Sequence, residues 1–483
     1  MDHYRGDEVS QLSSGGDGIG LCQKDVASVL HPVTSYAVYA ASGPKITKRA
    51  KGVYFWDDDN KQFLDGVAGL WCTAIGYGEP ELAATAKQQL ETLSYSPLFF
   101  GRSHETAILL AEKIKTMMPF DAGRVFFGLS GSDANDSQIK LIRYYNNAIG
   151  RPEKKKIISR QGSYHGLTMA SAALSGLPLF HASFDLPEAG FLKVSSPHYY
   201  RGSLPNESEL EFASRLVNEV EQLILSEGPE TVAAFVAEPI TGAGGLIVPP
   251  PGYYEQLQVV LDKHDVAFID DEVICGFGRT GNLFGCQTMN FTPTTMTLAK
   301  GLSSGYAPLS AVVIPDFMAE AIIQESKEIG ALAHGFTYSG HPLCTAIALK
   351  NLELLEERGV YDHAAKVAVT FQERLSALRD HPLVGEAVGK GLLGAIELVQ
   401  NKKDKASFPA DKAVGAYCTK RCEANQLLLR PLGDRVVMSP PLVISDDEVN
   451  ELFDKLEKSL NETLDWIHSE RLMPADPGVW QLS

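Results

Sequence analysis

The chain has few cysteines and no long apolar run. Its seven cysteines are scattered over 483 residues without the spacing of a disulfide framework, which suits a reducing compartment. No apolar segment approaches the ~18 residues that a membrane-spanning helix needs, so no span is predicted. Residues 1–25 lack the basic start and apolar stretch of a signal peptide, and their acidic residues argue against a transit peptide. We therefore expect a cytoplasmic protein with a flexible leader over residues 1–25.

Positive charge is also scarce. Lys and Arg total 43 against 60 Asp and Glu, which gives a formal net charge of −17. Such a balance repels phosphate backbones and anionic headgroups, so neither nucleic acid nor a membrane is expected as a partner. Hydrophobic residues make up 44% and charged residues 21%, as in an ordinary globular chain. A chain of 483 residues is long enough for two or three domains.

Strand-like and helix-like patterns alternate through the middle of the chain. The predicted strands there are short apolar runs: residues 124–129, 156–159, 232–237, 267–270, 295–299 and 309–314. Helical periods separate them, which predicts a mostly parallel sheet covered on both faces. Past Pro342 a long helical tract, two strand-like stretches and a last helix predict a smaller α+β domain.

This pattern predicts a domain organisation in which both chain ends contribute to the small domain. Short strands between Gly52 and Asp65 need partners, so we assign residues 26–75 to the N-terminal part of that domain. Residues 76–340 form the predicted large domain, and residues 341–483 form the C-terminal part of the small one.

Lys300 stands where a lysine is unusual, directly after the apolar, threonine-rich run of residues 294–299 and before Gly301. The end of a buried strand is an unfavourable place for a solvated ammonium. An amine kept partly neutral there can form a Schiff base with a carbonyl cofactor. Alone the signal is weak, because most such lysines extend the amine to solvent.

Two segments could donate hydrogen bonds to a phosphate. In residues 126–136 a strand ends in a Gly/Ser turn and a helix begins, with Ser132 as the expected N-cap. Free backbone N–H groups and the positive helix end would form an anion seat there, although a simple capped turn is an equally good interpretation. Residues 334–342 are rich in Gly, Thr and Ser, but by themselves they are an ordinary loop.

A planar ligand would find partners at two other predicted strand ends. Tyr164 could lie flat against an aromatic ring, although a surface Tyr-His pair is the commoner meaning of this segment. Asp270, Asp271 and Glu272 crowd the carboxyl end of another strand, where open α/β sheets bind ligands. Their repulsion requires a cation, either a protonated pyridine nitrogen or a metal ion. We favour the pyridine nitrogen, because HExxH is absent and no histidine at helix spacing completes a zinc site.

Residues 276–281 match G-x-G-x-x-G, the pattern of a dinucleotide-binding turn. That fingerprint needs a helix directly after it and an acid about 20 residues on. Gly285 and Pro293 interrupt the following segment, and no Asp or Glu occurs between Glu272 and Asp316. We therefore reject a dinucleotide site.

Together these segments supply an amine, a carboxylate for a ring nitrogen, an aromatic platform and phosphate donors, which are the needs of pyridoxal 5′-phosphate (PLP). From about Leu30 to Ile467 the chain resembles the class III (omega) aminotransferases, which are fold-type I PLP enzymes, and within them the amine or omega-amino acid:pyruvate branch. The resemblance is carried by residues 70–72 (LWC), 130–136 (SGSDAND), 164–166 (YHG), 271–281 (DEVICGFGRTG), 299–301 (AKG) and 335–342 (GFTYSGHP). It implies an α/β fold with a mostly parallel seven-stranded sheet in the large domain and a smaller α+β domain built from both chain ends.

The resemblance also implies the roles of individual residues. Lys300 would bond covalently to the cofactor and act as the catalytic acid and base, and Asp271 would pair with the ring nitrogen. Thr337 would reach the phosphate of the neighbouring subunit, which implies a homodimer, possibly a tetramer, with shared active sites. The other expected cofactor contacts are Gly131 and Ser132 at the phosphate, Tyr164 on the ring, and His165, Glu238 and Val273, the role of Glu238 being left open. No metal is expected.

Departures from the family pattern indicate the branch. The ornithine- and GABA-type branch that uses 2-oxoglutarate carries a Glu where this chain has Ala243 and an Arg where it has Val437. Losing both removes the switch that accommodates a dicarboxylate. Arg430 instead matches the mobile carboxylate-binding arginine of amine:pyruvate enzymes, and a planar guanidinium can grip a carboxylate at two points. The alternative is that Arg430 is a surface cation.

An aromatic pocket around the substrate is the second implication. Trp71 and Tyr164, with Phe99 and Phe100 from the partner subunit, would surround the amine substituent, unless these aromatics are simply core. We predict a PLP-dependent transaminase that moves an amino group from a primary amine or omega-amino acid to pyruvate, giving an aldehyde or ketone and L-alanine. The alternatives are a GABA-, beta-alanine- or polyamine-type transaminase, another PLP reaction such as an aminomutase, a metal-dependent hydrolase and a non-catalytic binding protein.

Overall fold

The computed structural model describes residues 20–473, apart from the side chain of Ala41. Most of the predicted leader, residues 1–25, lies outside the described residues. Within them the chain divides into two compact units, one of residues 20–49 and 55–62 and the other of residues 50–54 and 63–473. In the first unit the Arg49 guanidinium lies 3.9 Å from the centre of the Trp56 ring and donates to Asn60.

Helices and strands alternate in the order that the apolar pattern predicts. The α-helices of the described residues are α1 (Leu21–Ser28), α2 (Tyr36–Ser42), α3 (Ala68–Trp71), α4 (Pro80–Thr92), α5 (Glu105–Met117), α6 (Gly131–Ala148), α7 (Met169–Leu174), α8 (Tyr199–Gly202), α9 (Glu209–Glu227), α10 (Tyr253–Lys263), α11 (Gly285–Thr288), α12 (Asp316–Ile329), α13 (Pro342–Glu357), α14 (Val360–Ala377), α15 (Val414–Ala424) and α16 (Asp446–Ser469). The strands are β1 (Thr47–Lys51), β2 (Tyr54–Asp57), β3 (Gln62–Asp65), β4 (Ala122–Gly128), β5 (Lys156–Arg160), β6 (Phe191–Val194), β7 (Val232–Ala237), β8 (Ala267–Asp271), β9 (Thr295–Leu298), β10 (Ser310–Pro315), β11 (Val384–Lys390), β12 (Leu393–Leu398), β13 (Leu427–Leu428), β14 (Arg430–Leu432) and β15 (Arg435–Met438).

A seven-stranded sheet forms the centre of the second unit, with the strand order β4-β10-β9-β8-β7-β5-β6. The pairs β9–β8, β8–β7, β7–β5 and β5–β6 are parallel, whereas β10 runs antiparallel to both β9 and β4. Strand β7 is buried at every position, which explains why it reads as an uninterrupted apolar run. The predicted mostly parallel seven-stranded sheet is confirmed. Strand β6 was not predicted, because it is a four-residue edge strand whose Lys193 breaks the apolar pattern.

A second, antiparallel sheet follows in the C-terminal part, with the order β11-β12-β15-β14. The helical tract that leads to it is two helices rather than one, since Gly359 between α13 and α14 has φ +60°, a conformation that favours glycine. Strand β13 pairs in parallel with β3 through Leu427 and Leu64, so segments from both ends of the chain meet. The domain boundaries at residues 75 and 340 stay a prediction.

Amphipathic helices of the second unit pack their apolar faces on its core. Helix α9 buries six apolar residues along one face, and α16 likewise lays one apolar face on the core and leaves the other polar. None of the described helices combines the length and the apolar character that crossing a bilayer needs. Burial in the core therefore explains the apolar residues of these two helices.

Candidate active site

Four parallel strands, β5, β7, β8 and β9, end at one edge of the large sheet. The predicted site residues follow these ends: Tyr164 four residues after β5, Glu238 directly after β7, Asp271 as the last residue of β8 and Lys300 two residues after β9. Register holds the ends level, since Ala237 pairs with Asp270 and Asp271 with Thr297. The carboxyl edge of a parallel sheet is the usual ligand site of such folds, and here it gathers the chemistry-bearing residues.

Asp271 lies in a cluster of hydrogen-bond donors and is 3% exposed. Its Oδ2 accepts from Asn135 Nδ2 at 2.7 Å and lies 2.8 Å from His165 Nδ1. Its Oδ1 accepts from the backbone N–H of Val273 at 3.2 Å. Three donors from three segments fix the direction of the carboxylate, as is needed for a group that must meet one ring nitrogen.

Asn135 is a site residue that the sequence reasoning missed. Its Nδ2 also donates to the carbonyl of His165 at 2.8 Å, and its Oδ1 accepts from Thr297 Oγ1 at 2.9 Å. Gln138 donates to the same threonine oxygen at 3.2 Å. The detectable signal was a polar residue on the buried face of helix α6, one turn past the phosphate segment, where an apolar residue is the norm.

Lys300 occupies a strained turn, with φ +45° in the left-handed region that lysine rarely adopts. Asn351 fixes this turn by donating to the carbonyls of Gly301 and Leu302, both at 3.0 Å. The Lys300 amine lies 5.2 Å from the centre of the Trp71 ring. Burial lowers the pKa of this amine to about 8, so it gives up its proton more readily than an exposed lysine.

The anion seat predicted at helix α6 exists, but Ser130 rather than Ser132 is the N-cap. Ser130 Oγ accepts from the backbone N–H of Asp133 at 3.3 Å. Gly131 and Ser132 are therefore the first two helical residues, whose N–H groups have no acceptor within the helix. The Ser132 hydroxyl meanwhile accepts from the N–H of Leu167 at 3.1 Å, which ties the helix start to the loop after Tyr164.

Two glycines let the walls of this seat converge. A Cβ on Gly131 would lie 3.0 Å from both Cγ atoms of Val273. A Cβ on Gly166, whose φ is +129°, would lie 2.5 Å from Ser132 Oγ. The helix start, the segment after β8 and the loop after β5 thus approach each other more closely than any side chain would permit.

Glu238, whose role was left open, holds the Tyr164 loop. Its Oε1 accepts from the Tyr164 N–H at 2.9 Å and its Oε2 from the Gly242 N–H at 2.8 Å. Burial raises the pKa of this carboxyl and also that of the Tyr164 hydroxyl. Behind Glu238, the fully buried Arg160 donates to its backbone carbonyl at 2.5 Å. Glu238 is therefore a support for the loop that carries the predicted ring-stacking residue.

The three neighbouring acids do not share one cation site, contrary to the sequence expectation. Successive side chains of a strand point to opposite faces, so Asp270 turns away from Asp271. Asp270 and Glu272 instead lie with Cys286, all three fully buried and with ligand atoms within 4.8 Å of each other. Burial raises the pKa of both carboxyls, that of Glu272 to about 7. We infer that this pair retains a proton and leaves Asp271 alone to face the site.

Arg430 and Lys300 both lie near the indole ring of Trp71. The Arg430 guanidinium carbon is 5.0 Å from the centre of the Trp71 ring, and Trp71 is 4% exposed. Burial lowers the pKa of Arg430, which is half-buried. Trp71 packs in one apolar cluster with Val437 and, at its margin, Ala243. The two positions that carry charges in the dicarboxylate branch thus hold apolar residues in the same cluster as this ring.

Phe99, Phe100 and Thr337 form a separate group at the surface. Phe100 is 97% exposed, so it contacts little of its own chain and does not line the Lys300 site within one chain. The Phe99 ring lies 3.0 Å from where a Cβ on Gly335 would be. Thr337 is exposed, and its carbonyl accepts from Tyr95 Oη at 2.9 Å. The predicted contribution of these residues to a neighbouring subunit stays a prediction.

The sheet order and the residues at its carboxyl edge define a fold-type I PLP-dependent enzyme. The family model for aminotransferase class-III matches residues 36–460, and the chain belongs to this family. It is therefore an aminotransferase, and its cofactor is PLP.

Similar proteins of this family come from plants and bacteria. Gamma aminobutyrate transaminase 3, chloroplastic, of Solanum lycopersicum is 46% identical over 87% of this chain and 81% of its own. Vanillin aminotransferase of Capsicum annuum is 46% identical over 87% of this chain and 92% of its own. The crystal structure of the omega transaminase from Pseudomonas jessenii in complex with PMP has a TM-score of 0.92, 46% identity, and coverage of 93% of this chain and 99% of that one.

The residues of the site fit PLP. The free N–H groups at the start of α6 suit a phosphate, and the cradle between Gly131, Val273 and Gly166 has no room for another Cβ. Asp271 offers a fixed carboxylate to a ring nitrogen, and Lys300 offers an amine of lowered pKa to an aldehyde.

Proposed function

We propose that this aminotransferase moves an amino group from a primary amine or omega-amino acid to pyruvate, giving an aldehyde or ketone and L-alanine. The observation that carries the proposal is the position of Arg430. Its guanidinium carbon lies 5.0 Å and the Lys300 amine 5.2 Å from the centre of the Trp71 ring, and Trp71 shares an apolar cluster with Val437 and Ala243. Since Lys300 is needed for the cofactor, one guanidinium remains at this ring for a substrate, which suits a single carboxylate better than a dicarboxylate.

Lys300 is the proposed covalent attachment point and the acid and base of the reaction. Bound PLP supplies an aldehyde carbon for the amine and a ring that accepts electron density. An amine with a pKa of about 8 is about one tenth neutral at pH 7, against less than about a thousandth for an ordinary lysine, and the neutral form can take a proton from the substrate carbon and return it. Asp271, oriented by Asn135 and His165, holds a proton at the ring nitrogen. Gly131 and Ser132 hold the phosphate.

The substrate pocket is proposed to have two parts. Arg430 grips the carboxylate of the keto acid with its planar guanidinium and moves aside when the amine substituent is apolar. Trp71 and Tyr164 form the aromatic wall around that substituent, with Phe99 and Phe100 supplied by a neighbouring subunit. The exposure of Phe100, at 97%, supports its assignment to a shared site, since a large apolar side chain is otherwise rarely left so open.

A second candidate is a transaminase whose donor is GABA. The names of several similar plant proteins, from Solanum lycopersicum and Oryza sativa, favour this donor. GABA is an omega-amino acid with one carboxylate, so Arg430 could hold it in the first half-reaction as it holds pyruvate in the second. Because GABA is one of the omega-amino acids that the first proposal allows, the second candidate keeps the acceptor and narrows the donor to GABA.

A donor and acceptor panel tests both proposals. We expect alanine formation from pyruvate to exceed glutamate formation from 2-oxoglutarate by at least tenfold with the same donor, since one carboxylate would lack a partner. GABA is compared with 1-phenylethylamine as donors. Equal rates with the two keto acids would contradict the acceptor assignment, and a preference for GABA of tenfold or more would select the second candidate.

The assembly and location are also proposals. We infer a homodimer, because Thr337 and Phe100 are exposed in one chain while the expected site needs both. The predicted cytoplasmic location is retained, although similar plant proteins are named as chloroplastic or mitochondrial. Light scattering of the purified protein and imaging of a C-terminal fusion test the two points.

A further inference from the structure

His334 makes two hydrogen bonds to helix α6. Its Nδ1 lies 2.9 Å from Lys140 Nζ and its Nε2 2.8 Å from Ser137 Oγ. An ammonium only donates, so Nδ1 accepts and Nε2 carries the proton and donates to Ser137. Ser137 in turn donates to the carbonyl of Asp133 at 2.7 Å. Burial lowers the pKa of His334 to about 4, so the imidazole is neutral and held in one tautomer near neutral pH.

Aromatic packing fixes the same ring. The imidazole of His334 stacks on Phe126, with centroids 5.0 Å apart and planes at 11°. Phe336 meets the imidazole edge-on at 5.4 Å and Phe126 at 6.4 Å. Phe126 lies on β4, two residues before that strand ends in the turn to α6. His334 is therefore bound to both elements that build the anion seat.

The position of His334 relates two phosphate-binding segments. Helix α6 presents Gly131 and Ser132 at its start, and Ser137 and Lys140 follow on its next turns, the latter about 12 Å along the axis from Ser132 at 1.5 Å per residue. On the other side, His334 directly precedes residues 335–342, here termed the Thr337 segment. One rigid helix thus connects the seat for a subunit's own phosphate with the segment proposed to reach the partner's.

We propose that His334 is a positioning residue that holds the Thr337 segment ready for the phosphate bound by the partner subunit. The proposal rests on the proposed function, in which Thr337 contacts that phosphate. A surface segment loses conformational entropy when it becomes ordered on a ligand. Because the contacts of His334 already order the Thr337 segment, less entropy is lost when the phosphate binds. The Tyr95 bond to the Thr337 carbonyl secures the segment at a second point.

His334→Phe tests the proposal, because phenylalanine keeps the ring on Phe126 but loses both hydrogen bonds. Lys140→Met, at an exposed position, removes only the donor to Nδ1. The readout is the rate of cofactor release from holoenzyme loaded with PLP or with pyridoxal, which lacks the phosphate. We expect His334→Phe to accelerate PLP release about tenfold and pyridoxal release less than twofold, with Lys140→Met in between. Unchanged PLP release, or equal acceleration of both, would overturn the proposal.

Thr337→Ala separates this proposal from the assignment beneath it. If Thr337→Ala accelerates PLP release and His334→Phe does not, the positioning role is overturned while the phosphate contact stands. If only His334→Phe acts, and selectively on PLP, the positioning role stands and Thr337 is the wrong donor.

Hybrid dimers with one Lys300→Ala subunit give the direction. His334→Phe placed in the Lys300→Ala subunit should accelerate PLP release from the intact site, and placed in the subunit with the intact lysine it should have a smaller effect. The reverse pattern would overturn the inter-subunit role.

Discussion

Replacing Asn135 with leucine removes the amide that orients Asp271 while keeping a side chain of similar size. The variant loses the 2.7 Å bond to Asp271 Oδ2 and the 2.8 Å bond to the His165 carbonyl, and it leaves Thr297 Oγ1 without its acceptor. A hydrogen bond to a charged group contributes about 1.5–3 kcal/mol. Because each ~1.4 kcal/mol is a factor of ten in rate, a loss expressed in catalysis slows the reaction about 10- to 100-fold.

The assay is the amine half-reaction in a single turnover, followed by the absorbance of the cofactor. We expect the rate constant for proton transfer to fall by that factor while the dissociation constant of the amine stays within about twofold, because Asn135 lies behind Asp271 and not in the substrate pocket. Asn146→Leu is the matched control, since Asn146 is a buried amide on the same helix that donates to the Ile142 carbonyl at 2.9 Å. A rate within twofold of wild type for Asn135→Leu, or an equal fall for the control, would refute the reasoning.

The remaining predictions concern the acceptor site and a buried acid pair. Arg430→Ala should raise the KM for pyruvate at least about tenfold and the KM for 1-phenylethylamine less than threefold, because only pyruvate has a carboxylate that loses its charged partner. The measurement is steady-state kinetics, and equal effects on the two KM values would remove Arg430 from the acceptor site. The raised pKa of the Asp270–Glu272 pair stabilises the fold below the ordinary carboxyl range, and this stability is lost as pH rises toward about 7. Asp270→Asn removes that proton-binding group, so the variant should gain stability relative to wild type as the pH rises from about 5 to 7. Urea unfolding measures this, and a difference in the free energy of unfolding between variant and wild type that does not change with pH would exclude the shared proton.

The ends of the central strands could be predicted because the apolar pattern of the sequence shows where each buried strand stops. Strand β7 is an unbroken apolar run, β8 is apolar up to Asp270, and β9 combines apolar residues with threonine. The residues at or just after the ends of these strands, Glu238, Asp271 and Lys300, could therefore be expected at one edge. The edge strand β6, by contrast, was not predicted, because it has four residues and Lys193 interrupts its apolar pattern.

The finer geometry of the site could not be predicted in the same way. That Asp270 and Asp271 separate follows from strand pleat once the strand is known to extend through both, whereas the sequence shows only adjacent acids. The partner of Asp271 on helix α6 depends on how that helix lies against β8 and β9, which is a tertiary relation. The N-cap was predicted at Ser132 but is Ser130, because serines flank Gly131 on both sides and either one satisfies the capping preference.

The most direct test of the account is the identity of the lysine that carries the cofactor. Borohydride reduction of the holoenzyme, followed by proteolysis and mass spectrometry, should place a phosphopyridoxyl group on Lys300, whose amine has a pKa lowered to about 8 and lies beside Trp71. Lys300→Ala should show no adduct and no turnover. An adduct on another lysine, or none on the wild-type protein, would contradict the assignment of the site.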